Sequence, residues 1–165
     1  MSLLNEVPRI EELTDRHLIG MHQTMSLADN RTVALWQAFR PRLNELSDRI
    51  GTNLYSLQQY PSDYFRAFDP TRRFEKWAAA SVSTVDHIPT EMDALVLNGP
   101  YAVFDFLGTP AEFGAAIQFI LMNWLPGSNY ELDDRPHFER LGERYKHNDP
   151  KSEEEIWIPI RLRDR

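Results

Sequence analysis

The spacing of hydrophobic residues changes several times along the chain, and each change marks a predicted element. Apolar and polar residues mix at short spacing over residues 9–13 and 17–25, which is typical of two short strands separated by the turn-forming Thr14-Asp15-Arg16. From Val33 to Ile50 the apolar positions instead recur every three or four residues. This spacing predicts a helix with one buried stripe.

The limits of this first helix are set by residues with strong positional preferences. Asp29 or Asn30 can cap its start, because a short polar side chain can accept a hydrogen bond from a free backbone amide of the first turn. Pro41 lies inside the pattern and predicts a kink, since proline removes a backbone donor. Gly51 is expected to end the helix in a left-handed conformation.

A second helix is marked more clearly at both ends. Thr109 and Glu112 form the pattern of a capping box, in which each side chain accepts from the other residue's backbone amide. Pro110 occupies the first helical position, where a missing donor costs nothing. The apolar pattern stops at Pro126-Gly127.

The remaining elements predict a duplication. Each half, over residues 9–84 and 94–163, has the order strand, helix, strand, strand, with corresponding residues about 84 positions apart. We therefore expect an α+β fold in one domain over residues 1–165, with an antiparallel sheet, two main helices on one face and a cleft between the halves. The other predicted strands cover residues 54–60, 74–84, 94–97, 101–106, 137–144 and 156–160, with an ordered loop at 61–73 and a turn at 98–100.

Composition excludes several classes of function. The net charge is −7 without a long Lys/Arg run, so direct nucleic-acid binding is not expected. The chain has no cysteine, which excludes disulfides and thiolate chemistry and agrees with a cytoplasmic location. No segment is predicted to be a secretory signal or to span a membrane. Glycine-rich phosphate loops and a serine-hydrolase motif are missing, so neither a nucleotide nor another cofactor is expected.

Aromatic residues are numerous enough that some are expected to line a pocket as well as fill the core. Glu139 lies between Phe138 and Leu141 in a strand-like segment. A carboxylate in a ring-lined cleft needs a positive partner, and a lipophilic cation would provide one. Alternatively, Glu139 points to solvent or pairs with a nearby arginine, because strand alternation alone does not choose its face. The arginines concerned are Arg135, Arg140 and Arg144.

A metal site is the other chemistry that this region suggests. Asp133, Asp134 and His137 are close in sequence, and His147 follows. No second histidine or carboxylate has the spacing that would define a site, so no metal is predicted.

Four segments together resemble the GyrI-like effector-binding domain, which forms the C-terminal half of some AraC-type and MerR-type transcription regulators and also occurs alone. The segments are Gly99-Pro100-Tyr101-Ala102-Val103-Phe104, Trp124-Leu125-Pro126, Pro136-His137-Phe138-Glu139 and Ile156-Trp157-Ile158-Pro159-Ile160. The resemblance is best over residues 99–161 and continues in order over 9–84. It implies a pseudo-twofold pair of modules with a ligand cleft between them.

The resemblance also implies a site residue. In drug-sensing members a glutamate of the Phe-Glu segment attracts cationic aromatic ligands, and Glu139 matches it. Many members have tyrosine two residues later, where this chain has Leu141, so Tyr145 or Tyr101 would have to take that role. The first strand is expected near Arg9, which leaves no room for a preceding helix-turn-helix.

Three functions follow as hypotheses. The first is a stand-alone protein that binds hydrophobic, cationic aromatic small molecules, with Glu139 supplying charge. Its cleft walls are predicted to include Trp36, Tyr64, Phe104, Trp124 and Tyr101. The second is a hydrolase of electrophilic compounds that uses Glu139 as general base. The third is a protein-interaction module of the gyrase-inhibitor type, or an effector module for a separate DNA-binding chain.

Overall fold

The computed structural model describes residues 3–142 and 153–164. These residues form strands β1 to β8, the helices α1 and α2, and a final helical turn, α3. In chain order the elements are β1 (Leu3–Leu4), β2 (Arg9–Ser26), α1 (Thr32–Phe39), β3 (Arg49–Gln59), β4 (Arg73–Val82), β5 (Asp93–Leu107), α2 (Pro110–Phe119), α3 (Leu125–Gly127), β6 (Tyr130–Leu132), β7 (His137–Leu141) and β8 (Glu153–Leu162). Two 3-10 helices, Arg40–Glu45 and Tyr64–Arg66, and a π-helical segment, Ile120–Trp124, complete them.

The predicted α+β duplication is confirmed. The first module is β2-α1-β3-β4 and the second is β5-α2-β7-β8. All strand pairs are antiparallel, and the sheet order is β1-β5-β2-β4-β3-β7-β8-β6. The two modules therefore meet at β3–β7 and at β2–β5.

The sheet is closed, a feature that the sequence pattern did not predict. Strand β5 pairs with β2 on one side and with β8 on the other, so six strands form a ring. Large side chains fill its interior, among them the stacked Phe138 and Trp157, whose ring centroids are 5.1 Å apart. Much of the chain's aromatic content is therefore structural.

Both helices pack on the outer face of this ring, which we call the helix face. Helix α1 covers a core that includes Phe39, Phe74 and Ala80. Helix α2 covers a second core that includes Phe104, Ile120 and Ile156. Burying each of the phenylalanine and isoleucine side chains stabilises the fold by about 1.5–3 kcal/mol. In the described part of the chain, no helix is long and apolar enough to cross a membrane.

One predicted turn is a bulge within the long strand β2, and another lies opposite it in β5. The β2–β5 register shifts between Leu13 and Arg16, where Asp15 has φ +46° and its backbone amide donates to Asn98 Oδ1 over 2.7 Å. Opposite them, Gly99 has φ +95°, which favours glycine because it has no Cβ. The turn residues predict an irregular backbone here. A bulge satisfies the same local preferences while strand pairing continues on both sides of it.

The first helix is shorter than predicted. It begins at Thr32 and ends at Phe39, and Pro41 lies in the 3-10 helix that follows. Gly51 has the predicted positive φ of +65°, but it lies in β3. The end positions of the predicted stripe, Val33 and Ile50, are 59% and 53% exposed. The three-to-four spacing continued by chance through a 3-10 helix into a strand.

The second helix is as predicted at its start. Thr109 Oγ1 accepts from the backbone amide of Glu112 at 3.4 Å, and Glu112 Oε1 accepts from the amide of Thr109 at 3.1 Å. This confirms the capping box, with Pro110 as the first helical residue.

His22 on β2 links two neighbouring strands. Its Nδ1 lies 3.0 Å from Glu75 Oε1 on β4, and its Nε2 lies 2.6 Å from Asp93 Oδ2 on β5. Both nitrogens face carboxylate acceptors, and the ring can donate to both only as an imidazolium. Burial opposes this charge, but the bonds to Glu75 and Asp93 outweigh burial and raise the pKa of His22.

We expect this link to make stability depend on pH. A raised folded-state pKa stabilises the fold fully below the unfolded value of about 6.5, and the effect is lost as pH rises through the folded-state value. His22→Gln should therefore cost about 1 kcal/mol or less near pH 6, and less still above pH 8. Urea unfolding of both proteins between pH 6 and 9 measures this. A cost independent of pH would contradict the imidazolium assignment.

Candidate functional site

A cluster of polar residues lies on the helix face where the two modules meet. It contains Lys76 of β4, Gln58 of β3, Glu139 of β7 and Glu154 of β8, and we call it the Glu139 cluster. Strand register places Glu139 beside Ser56 on one side and beside Ile156 of the α2 core on the other. The cluster therefore separates the α1 core from the α2 core.

Glu139 is held inside the protein. Its exposed fraction is 8%, and Gln58 Nε2 donates to Glu139 Oε1 over 3.1 Å. The alternatives in which it points to solvent or pairs with Arg135 or Arg140 are wrong, because Arg135 bonds Asp133 at 2.6 Å and Arg140 lies 2.6 Å from Glu155.

The nearby cation is Lys76, which is 6% exposed. Burial lowers the pKa of its ammonium group, while the carboxylates of Glu139 and Glu154 raise it, and the net direction is downward. Burial raises the pKa of Glu139, against the opposing effects of Lys76 and Gln58. Each group is thus close to the charge that compensates it, but burial weakens the charged form of both.

Glu154 adds a second carboxylate to the same cluster. Burial and the charge of Glu139 raise its pKa to about 8, although Lys76 acts in the opposite direction. Counted over residues 3–142 and 153–164, the cluster has two carboxylates and one ammonium group. At neutral pH the excess carboxylate retains a proton.

Two cavities lie at opposite ends of the β7 strand. The larger, of about 970 Å³, is lined by Glu154 and Gly142 together with residues of β1, β3 and β5. The smaller, of about 470 Å³, is lined by Tyr60, Phe65 and His137. Glu139 lies between His137 and Gly142 along the chain and lines neither cavity, whereas Glu154 of the same cluster lines the larger one.

Four of the predicted wall residues lie on the helix face. Trp36 is partly buried against the α1 core, and Tyr64 packs there with its ring 4.5 Å from that of Tyr60. Phe104 is fully buried in the α2 core. Its ring and that of Trp124 meet edge to face, with centroids 5.2 Å apart. The structure thus places these rings on both sides of the Glu139 cluster.

Tyr101 is not a wall residue of this cleft, and that prediction is corrected. It is fully buried inside the ring, on the opposite sheet face from Glu139, because it packs against Phe138 and Trp157. Its hydroxyl donates to Pro136 O over 2.7 Å. The predictions that concern Arg144, Tyr145 and His147 lie outside the described residues.

Lys76, Gln58 and Glu154 were missed, although the sequence carried a signal for two of them. Lys76 is two positions from Phe74 and from Ala78, and Glu154 is two positions from Ile156. In a strand, residues two apart share a face. A charged residue in phase with apolar ones therefore indicates a buried charge.

No metal site is evident here: among the described residues, no group of three or more histidines and carboxylates is arranged to hold a metal ion. The carboxylate of Asp133 accepts a hydrogen bond from Arg135.

Comparison with known proteins identifies the family of this chain. The sequence model of the GyrI-like small molecule binding domain matches residues 6–161. The chain belongs to the GyrI-like family. None of the curated proteins is matched by its sequence.

Several solved structures have a similar fold. SAV2435 bound to tetraphenylphosphonium is 17% identical, with a TM-score of 0.70 and 93% of each chain covered. The EcmrR C-terminal domain is 12% identical, with a TM-score of 0.68 and 99% of each chain covered. A hydrolase encoded by lin2189 from Listeria innocua is 12% identical, with a TM-score of 0.59, and the match covers 94% of this GyrI-like chain and 92% of the hydrolase. At these identities the likeness establishes a shared fold.

Coupling within the Glu139 cluster can be measured by stability. Lys76→Met should destabilise the protein by roughly 3 kcal/mol, because it leaves buried carboxylates without their cation. Adding Glu139→Gln should recover part of this loss, so that the double variant is at least about 1 kcal/mol more stable than the sum of the single effects. Urea unfolding of the four proteins measures the coupling.

Glu131→Gln is the matched control for this cycle. Glu131 bonds Arg161 on the surface, far along the sheet from Lys76. Combined with Lys76→Met, it should give simple addition. Additive effects for Glu139→Gln as well would contradict direct coupling between Lys76 and Glu139.

Proposed function

We propose that this GyrI-like domain binds a hydrophobic aromatic molecule with a positive charge on the helix face, beside Glu139. The observation that carries this proposal is the charge imbalance of the Glu139 cluster. Within the described residues, Glu139 and Glu154 share one buried ammonium group, that of Lys76. A bound cation would compensate the remaining carboxylate, which otherwise must keep a proton.

The aromatic residues on both sides of the cluster support a ligand with rings. Trp36 and Tyr64 lie on the α1 side, and Phe104 and Trp124 lie on the α2 side. An aromatic face attracts a cation by about 0.5–2 kcal/mol, depending on how far water is excluded. SAV2435 is bound to tetraphenylphosphonium, a permanent cation with four phenyl rings, which supports the same ligand class for this fold.

Tetraphenylphosphonium is therefore the first probe. At about 100 times its dissociation constant it should stabilise the native state by about 2.7 kcal/mol, a melting-temperature rise of about 5–10 °C for a domain of this size. Triphenylphosphine oxide, which has aryl rings but no net charge, should give a much smaller shift. Glu139→Gln should weaken tetraphenylphosphonium binding roughly tenfold, because the uncharged amide no longer attracts the cation.

Glu131→Gln serves again as the control, since it removes one surface carboxylate and leaves the Glu139 cluster unchanged. It should bind tetraphenylphosphonium as well as the unmodified protein. Equal binding by the Glu139→Gln protein would contradict the assigned charge role.

Cation binding should also release a proton. A cation favours the ionised form of Glu154, so below its pKa of about 8 binding must expel the proton. Affinity for tetraphenylphosphonium should rise between pH 6.5 and 8.5, by up to about tenfold per pH unit, and then level off. The probe itself does not titrate.

Calorimetry in phosphate and in Tris buffers measures this release, because the two buffers differ in ionisation enthalpy. Glu154→Gln should flatten the pH profile. An affinity that is equal at pH 6.5 and 8.5, with no dependence on the buffer, would contradict proton exchange.

A hydrolase is the second candidate, and the raised pKa of Glu139 favours it. A carboxylate with a raised pKa is a stronger base than usual and could take a proton from water, whose oxygen would then attack an electrophilic carbon. Styrene oxide is a suitable probe: attack by the water oxygen would break an epoxide C–O bond, and the released ring oxygen would take the proton back from Glu139 to give a diol. Diol formation that disappears in Glu139→Gln would favour the hydrolase, and lack of turnover in the unmodified protein would exclude this substrate class.

A further inference from the structure

The smaller cavity has its own recognition chemistry, separate from the Glu139 cluster. Its apolar side consists of Tyr60, Phe65 and His137. The Phe65 and His137 rings are stacked, with centroids 5.2 Å apart, and Tyr60 meets the ring of each edge-on, at 4.8 and 5.0 Å. At about 470 Å³ the cavity falls in the size range of small-molecule sites.

His137 places a polar ring on the aromatic side of this cavity. It is 8% exposed, and in the described part of the chain its ring makes aromatic contacts but no hydrogen bond. Burial, assisted by the charge of Arg135, lowers its pKa to about 3, so the ring is neutral. A neutral imidazole has one donor and one acceptor nitrogen. Neither ring nitrogen is among the fully buried unpaired atoms of the described residues, so the unpaired nitrogen is open to the cavity, where a ligand hydroxyl can reach it.

The charges around the cavity nearly balance one another. Arg135 donates to Asp133 at 2.6 Å, and Arg161 donates to Glu131 at 2.9 Å. Arg66 and Asp134 also line the rim, with opposite charges. The cavity therefore has no excess charge with which to select an ion, in contrast to the Glu139 cluster.

We propose that this cavity binds a neutral aryl alcohol. The aromatic ring of the ligand packs against Tyr60 and Phe65, and its hydroxyl donates to the acceptor nitrogen of His137. Stacking on the two protein rings supplies affinity, and His137 selects the hydroxyl over an apolar group of the same size. Neither Glu139 nor Lys76 lines this cavity, although burial and then the charge of Glu139 raise the pKa of the lining residue Tyr60.

2-Naphthol and 2-methylnaphthalene are the matched probes, since they differ by a hydroxyl in place of a methyl group. Fluorescence titration of the unmodified protein should show 2-naphthol binding about 3–10-fold more tightly, which corresponds to one neutral hydrogen bond. His137→Phe should remove this preference and leave the affinity for 2-methylnaphthalene unchanged. Phe65→Leu should weaken both probes equally. A preference for 2-naphthol retained in His137→Phe would overturn the proposal.

Nuclear magnetic resonance of the unmodified protein gives a test that needs no variant. Saturation with 2-naphthol should shift the ¹⁵N resonances of the His137 ring, and 2-methylnaphthalene should shift them much less. Unchanged His137 resonances at saturation would overturn the assigned contact.

Competition separates this site from the cation site. The unmodified protein should bind 2-naphthol with the same affinity with and without tetraphenylphosphonium. Displacement of 2-naphthol by tetraphenylphosphonium would overturn the separation of the two sites.

Discussion

Closure of the sheet is the constraint on which the rest of the structure depends. Strand β5 pairs with β2 and β8 at the same time. The bulge at Asp15, opposite the positive φ of Gly99, lets β2 and β5 bend without losing their pairing. A closed ring has no open inner face, so large rings such as Phe138 and Trp157 fill it. The helix face is therefore where this fold can present a cleft.

On that face, the junction of the two modules decides the electrostatics. Strand β7 pairs with β3 of the other module, which brings Glu139 next to Gln58 and near Lys76. Strand β8 adds Glu154 from the other side. Each module alone would bury an uncompensated charge, and together they form a cluster whose charges are only partly balanced.

The two cavities differ in chemistry. Acidic residues, including Glu154, line the larger cavity, whereas the smaller one has aromatic rings, the neutral His137 and paired surface charges. Because Glu139 lies between them on β7, one short strand contributes to both environments. A GyrI-like domain built in this way can distinguish ligands by charge at one position and by hydrogen bonding at another.

The sequence by itself determined the features that depend on local chemistry. The capping box at Thr109, the duplicated order of elements and the resemblance carried by the segment around Glu139 were all readable from it. Local signals also found the positive φ of Gly51 and the irregular backbone near Gly99, but not that both lie within strands. Only the tertiary structure decided ring closure, the face of Tyr101 and the proximity of Glu139 to Lys76, which is 63 residues away in the chain. The physical reason is that strand alternation tells which residues share a face, whereas non-local pairing tells which face is buried and which charges meet.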